Sequence, residues 1–497
     1  MGVIARQGIK RSLISIVGVL IGTVSTLFIY PLEHEANGLA QFIVGTAALL
    51  SIFLGFGSSG LVVRYFPEFR KIKGYISVVL SFGLINILIT TVLFFIFKNP
   101  IYSLLEKYGF DIDKINDNIL SLFILAVLFI IIRFLMYQSS NLKRIVIPAF
   151  INEFLYKIFF PVLILLYHFD YIKFSTIPYA IVGFYAVSFI LNLIYLKTIG
   201  GLDISSKTIF SLPISKVKEM YSYAGFSGLN TISASITSRI DILMITMLVA
   251  FTGTSIYSIF LFMSNVIAIP NVSLNQIASP VISGSMREGD MQNVGTIYKK
   301  TSLNSFIIGA ILFIIIWSIL PNLVAIMPSK KDLMPYIYVF LFLGLSKLFD
   351  MFTSVNSYIM IYSKYYRYNL LFLVSLAVLN IVLNYFLIGQ YGIVGAAIAT
   401  FISMFLYNII KLFFIKAKFD LFPFDKNSVL IVVIGIIVFL VSMYLPDFDY
   451  ELINLGYKPV LLILLYYILI KLFGLKADII DLGENMIHKL TGVKIGN

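Results

Sequence analysis

The chain has 497 residues, 60% of them hydrophobic and only 12% charged, with a mean hydropathy of +0.97, more apolar than a soluble core uses. Its formal net charge of +13 does not point to nucleic acid, because the basic residues sit in short loops between apolar runs. Cysteine is absent, which excludes disulfides, thiolate nucleophiles and cysteine metal sites, and three histidines expected in loops or the tail (His34, His168, His488) make no metal or catalytic centre.

Residues 1–30 combine a basic start with an apolar run, as a signal peptide does. The run is long for one, at about 19 residues, and no small-residue cleavage site follows, so it reads as a first span. Arg6 stands where an N-myristoylation motif needs Ser or Thr. Apolar runs of roughly 17–25 residues then recur along the chain. They lie near 12–30, 38–62, 75–97, 119–140, 145–167, 176–196, 221–249, 254–278, 301–320, 335–360, 367–388, 392–415, 428–445 and 457–474. The expected class is an all-α polytopic membrane protein with about 14 transmembrane helices.

Loop charge sets the orientation. Arg6, Lys10 and Arg11 precede the first span, the next loop holds Glu33 and Glu35 without a cation, and the one after it brings Arg64, Arg70, Lys71 and Lys73. Continued alternately, about 26 Lys/Arg fall on the starting side and about 7 on the other, so both termini are expected in the cytoplasm. Lys330 and Lys331 are the local exception. The longest outer loop, 98–118, leaves no room for a soluble domain. The longest inner connection, 197–220, holds Gly200, Gly201 and Pro213 and follows the sixth span. The expected organisation is a six-helix lobe over 1–200, a cytoplasmic linker over 201–220 and a second six-helix lobe over 221–420. Two additional helices and a tail occupy 421–497. Six spans per lobe would relate the lobes by a pseudo-two-fold axis along the membrane normal.

Charges inside the spans carry the functional signal. The seventh span holds Arg239 and Asp241, and at about 1.5 Å per residue Arg239 lies roughly 15 Å from the Val249 end, near the midplane. A charge there costs about 2.5–3.5 kcal/mol on insertion scales and belongs against protein or a wet cavity. Residues two apart face different ways on a helix, so each needs a partner elsewhere. Glu153 with Lys157 and Lys347 with Asp350 have spacings that permit same-face pairing, and Arg133 lies nearer the cytoplasmic end of its span. Such pairs serve either as neutral struts or as a cavity in which cations meet an anionic substrate and carboxylates carry H⁺ or Na⁺. The substrate-contact candidates are Arg239, Lys157, Lys347, Arg133 and Arg64; the ion-coupling candidates are Asp241, Glu153 and Asp350. Amides at Asn265, Asn271, Asn275, Gln276, Asn380 and Asn384 suit bonding between helices. Pro148, Pro161, Pro270 and Pro280 are expected to bend theirs.

Other patterns carry no chemistry. GFGSSG at Gly55–Gly60 matches a dinucleotide fingerprint but lies in a membrane helix without a preceding strand. DFD at Asp447–Asp449 falls on the outer side, where nucleotide sugars are not supplied, and GVLIG at Gly18–Gly22 is a small-xxx-small helix contact.

The run NIVLNYFLIGQYGIVGAAIAT (Asn380–Thr400) resembles the hairpin of spans 11 and 12 in Wzx-type polysaccharide (O-antigen) flippases of the multidrug/oligosaccharidyl-lipid/polysaccharide (MOP) exporter superfamily. GLVVRYFPEF (Gly60–Phe69) is similar to their segment closing span 2, and SRIDILMITMLVAFTGTSIYS, followed by Pro280 and MREGD, to their spans 7 and 8. The resemblance implies two six-helix lobes around a central cavity in the bacterial inner membrane. It also implies a substrate, an oligosaccharide on a polyprenyl pyrophosphate, flipped from the cytoplasmic to the periplasmic leaflet. A pyrophosphate is too polar to cross hydrocarbon unaided, whereas a cationic cavity open sideways leaves the prenyl tail in lipid. No enzymatic activity or cofactor is expected, and coupling to H⁺ or Na⁺ stays open. Membrane lipids, a polysaccharide polymerase and glycosyltransferases are candidate partners; nucleic acid is not. An ion-coupled multidrug antiporter of the same superfamily is the alternative, with a membrane glycan polymerase or ligase behind it. The polymerase or ligase would need a larger outer loop and a catalytic acid or base. Reporter fusions after Lys197 and at the C-terminus should read cytoplasmic and those at Asp113 and Asp449 periplasmic; a periplasmic C-terminus would break the span count.

Overall fold

The computed structural model describes residues 14, 16–69, 75–202, 213–475 and 477–480, and within these there is helix but no strand. The terminal cations Arg6, Lys10 and Arg11, the loop cations Arg70, Lys71 and Lys73, linker residues 203–212, His488 and the tail 481–497 lie outside them. Among the described residues eleven helices are long and apolar enough to cross a membrane, twelve with the bent pair Lys330–Tyr336 and Tyr338–Thr353. The shorter apolar helix Ile16–Leu32 and a break within Tyr366–Phe419 bring the tally to the fourteen expected. That break is Gly392, whose φ of 57° and ψ of −137° suit a residue without a Cβ. The protein is a multi-pass membrane protein.

We number the elements that matter here α1 (Ile16–Leu32), α2 (His34–Gly55), α3 (Tyr75–Lys107), α4 (Ile119–Asn141), α5 (Val146–His168), α6 (Phe174–Thr198), α7 (Ile214–Leu248), α8 (Phe251–Glu288) and α9 (Met291–Ile326). The chain forms two compact units. One comprises 1–259 with Asn384–Ile393, and the other 260–383 with 394–497. The first unit includes α7, which the sequence places at the head of the second lobe.

The first unit is built around α2. Its sequence HEANGLAQFIVGTAALLSIFLG puts small residues on every side, so neighbours approach closely. Leu39, Phe42, Ile43 and Ala47 pack with Leu122 and Leu125 of α4, Phe160 and Leu163 of α5, and Ile177 and Ile181 of α6. By contrast α3 is buried over only 22% of its apolar window and presents Leu84, Leu88, Phe95 and Ile96 outward, as a lipid-facing helix must. Two glycines set the closest contacts. A Cβ on Gly38 would lie 1.8 Å from the Phe251 carbonyl oxygen, and one on Gly57 would lie 2.0 Å from that of Ala224. Next to the first of these, His34 and Asn37 hydrogen-bond Ser255 at 3.1 and 2.7 Å.

The second unit centres on α9. Its Gly309 accepts Met351, and Gly344 on the facing helix accepts Phe313. The two C-terminal helices, Lys426–Met443 and Glu451–Leu472, pack against α9 as well. Tyr466 donates to the Ile307 carbonyl at 3.1 Å, and the buried Lys458 pairs with Asp447 at 2.6 Å while donating to Asn322. Those bonds from Lys458 and Asn322 hold the Asp447 carboxyl below its usual range, so the DFD stretch is a structural clasp in this fold.

Gly38→Ala should lower the thermal midpoint, at a cost on the order of 1–3 kcal/mol, because the obstructing atom is backbone and cannot turn aside. Gly45→Ala, whose Cβ meets Ile242 at an ordinary 3.4 Å, is the control; equal midpoints would contradict the close approach at Gly38.

Candidate functional site

Three of the predicted charges, Arg133, Glu153 and Arg239, line one cavity of about 470 Å³ within the first unit. They come from α4, α5 and α7. Among the described residues neither guanidinium has a hydrogen-bond or ion-pair partner, and the two repel one another. Tyr137, Asn152 and Tyr185 add polar atoms, while Val44, Phe129 and Met136 supply apolar wall. With two cations and one carboxylate, the cavity is positive. An anion with several oxygens would satisfy both planar forks.

The local cause of Glu153's placement lies in α5. Asn152 donates its side-chain amide to the Pro148 carbonyl at 2.7 Å, taking the acceptor its own backbone N–H would use in a regular helix. Residues Phe150–Phe154 accordingly form a wider π-helical turn. Asn152 also exchanges two 3.3 Å amide bonds with Asn192 of α6, which fixes the turn against its neighbour. The i,i+4 expectation for Glu153 and Lys157 presumes a regular helix, and the turn departs from it. Glu153 lines the cavity, whereas the Lys157 ammonium lies against Gly18 of α1, although Glu153 still acts on it electrostatically.

The remaining predicted residues sit elsewhere. Asp241, two residues from Arg239, is 6% exposed and accepts hydrogen bonds from Tyr257 and from Asn384, both at 2.6 Å. This node helps to tie Asn384–Ile393 into the first unit, assisted by Tyr385 packed on Phe110. Arg64 is exposed, its guanidinium 5.9 Å from the Tyr223 ring centre, and lines neither this cavity nor the pocket beside it. Lys347 and Asp350 belong to the second unit, where Asn408 donates to Asp350 at 3.5 Å and both Lys347 and Lys411 attract it. Lys411 is fully buried, bonded to Ser357 and Tyr407. It went unpredicted because it reads as the first of the cytoplasmic cations continued by Lys416 and Lys418. Tyr137 also went unpredicted, though it stands one turn from Arg133 on α4. Of the amides, Asn271 accepts from Ser305, Asn275 accepts from Ser354, and Asn380 donates to Thr400, all bonds between side chains of different segments.

No protein-family model matches the sequence, and no curated protein matches it. The fold does have solved counterparts. The lipid II flippase MurJ in an inward closed conformation superposes with a TM-score of 0.71 at 15% identity, over 94% of this chain and 98% of that one. An inward-facing multidrug-resistance MATE transporter of the MOP superfamily gives 0.60 at 16% identity, over 83% and 98%. An outward-facing MATE transporter gives 0.52 at 16%, over 84% and 95%. The chain thus shares its fold with a structure named as a flippase and with structures named as transporters of the MOP superfamily.

Within one helix, then, a cavity-facing cation stands two residues from a bonded anion. Asp241→Ala strands two buried donors at a cost of roughly 2–3 kcal/mol and should lower the thermal midpoint by several degrees. Arg239→Ala should leave it nearly unchanged. The reverse order would contradict the assignment of Asp241 to structure and Arg239 to the cavity.

Proposed function

We propose that the chain is a flippase that carries a polyprenyl-pyrophosphate-linked oligosaccharide from the cytoplasmic to the periplasmic leaflet of the bacterial inner membrane. Both termini lie in the cytoplasm, and the protein works by alternating access. The observation that carries this reading is the pair of guanidiniums, Arg133 and Arg239, lining one cavity between apolar helices long enough to span a membrane. Two cations beside one carboxylate leave excess positive charge in a membrane-spanning bundle, which an anionic ligand would offset. A pyrophosphate is the anionic group of a lipid carrier, and its oxygens suit two bidentate forks. The MurJ counterpart, named for flipping a lipid, supports the substrate class. The MATE counterparts support the antiporter alternative, but an excess of positive charge disfavours a cationic drug in this cavity.

Of the three candidate carboxylates, Glu153 lines the cavity and is the group through which H⁺ or Na⁺ would couple to movement, whereas Asp241 is held by fixed donors and Asp350 lies in the second unit. Glu153 is the nearest of them to the proposed anion and would be displaced electrostatically by it. The substrate is expected to reach the protein from glycosyltransferases and to leave it for a polymerase.

Arg239→Ala should abolish surface glycan while membrane protein stays near wild-type level, with lipid-linked precursor accumulating in the cytoplasmic leaflet. Arg239→Lys should restore export only in part, because an ammonium lacks the bidentate fork. Wild-type export from a well-expressed Arg239→Ala strain would overturn the reading.

A further inference from the structure

A second pocket of about 190 Å³ adjoins the cationic cavity, and Arg133 and Tyr137 line both. Its walls are mostly hydroxyls: Ser58 and Ser59 from the turn after α2, and Ser227, Thr231 and Ser235 from α7. On α7 these last three and Arg239 follow one another in steps of four residues, about 6 Å each, and so share one face. That face runs from the cytoplasmic end of the helix up to the cation.

The GFGSSG stretch is what opens this pocket. Gly57, at φ 71°, lies so close to the Ala224 carbonyl that no Cβ fits, and a Cβ on Gly60 would sit 3.0 Å from Ser227 Oγ. The short helix Ser58–Arg64 is therefore held against α7, with Ser58 and Ser59 at the wall of the pocket. Ser58 is only 1% exposed, and among the described residues its hydroxyl has no hydrogen-bond partner. A buried hydroxyl left unpaired costs free energy, so a ligand group that bonds it is favoured. Thr231 donates to its own helix at the Ser227 carbonyl, which leaves its oxygen free to accept.

We propose that this pocket is a glycosyl subsite, taking the sugar joined directly to the diphosphate. The inference rests on the flippase reading and extends it to the substrate's polar end. In a glycosyl diphosphate the sugar is the group bonded to the outer phosphate, so a phosphate held at Arg133 places a ring beside it. A sugar hydroxyl both donates and accepts, and serine and threonine hydroxyls rotate to meet either role. Arg133 is the one charged residue in the lining, which suits a neutral ring better than a second phosphate. Tyr137 offers a ring face to the C–H side of a pyranose.

The test is a binding titration of purified full-length protein with farnesyl diphosphate and with farnesyl diphosphates carrying glucose, galactose, N-acetylglucosamine or N-acetylgalactosamine. At least one glycosylated probe should bind about fivefold or more tightly than the bare diphosphate. Ser58→Ala and Ser235→Ala should each remove most of that gain and leave the bare probe unchanged, while Arg133→Ala should weaken both kinds of probe. The thermal midpoint of unliganded Ser58→Ala should be unchanged or higher, since an unpaired hydroxyl is lost; a lower midpoint would mark a structural hydroxyl, and Ser235→Ala would then decide alone. Equal losses for bare and glycosylated probes, or no gain from any of the four sugars, would overturn the subsite. A wild-type protein that binds none of the probes would instead defeat the flippase reading beneath it.

Discussion

The structure depends on how charge is accommodated in hydrocarbon. Arg239 and Asp241 lie two residues apart on α7 and meet that constraint in opposite ways. The Asp241 carboxylate is sealed among protein groups and takes hydrogen bonds from Tyr257 and Asn384, so it binds segments together. Arg239 turns instead to a cavity it shares with Arg133 and Glu153. The first arrangement neutralises a charge with fixed donors, and the second keeps one available. A site for a polar ligand inside a membrane needs both, because a framework stiff enough to hold two like charges must itself be tied by bonds that lipid cannot supply.

The framework follows from small residues. Alanine and glycine along α2 let α4, α5, α6 and α7 close around it, and at Gly38 and Gly57 the approach leaves no room for a methyl group. The cavity and the hydroxyl pocket both border α2 or the turn that ends it, through Val44 and Ala48 in one and Ser51 and Ser58 in the other. Packing and site are thus two consequences of one helix sequence. Along α7, Thr231, Ser233 and Thr237 are inexpensive in lipid terms, since each bonds the carbonyl one turn back.

Much of the fold was legible in the sequence, because a membrane span announces itself by length and hydropathy alone; even the break at Gly392 coincides with the start of the predicted span 392–415. The site was legible in part. Arg133, Glu153 and Arg239 were each marked as costly charges, yet nothing in the spacing revealed that three helices bring them together. The spacing of Glu153 and Lys157 hid the π turn set by Asn152 and Pro148, although Glu153 still acts on Lys157 electrostatically. Lys411 and Lys458 carry no mark of burial in the sequence, because it depends on partners brought by other segments, Ser357 for the first and Asp447 and Asn322 for the second. GFGSSG was read as a motif without chemistry, when its glycines set a helix contact and its serines line a pocket.

The central claim is that the paired guanidiniums exist to carry a diphosphate across the membrane. It is tested most directly in proteoliposomes of purified protein loaded with a short-chain prenyl-diphosphate glycan, by following how fast the sugar becomes accessible to an enzyme on the opposite face. The account predicts movement with the wild-type protein and little above the protein-free rate with an Arg133→Ala/Arg239→Ala double variant of normal stability. Equal rates for wild type and double variant, or movement of a cationic dye in place of the glycan lipid, would contradict it.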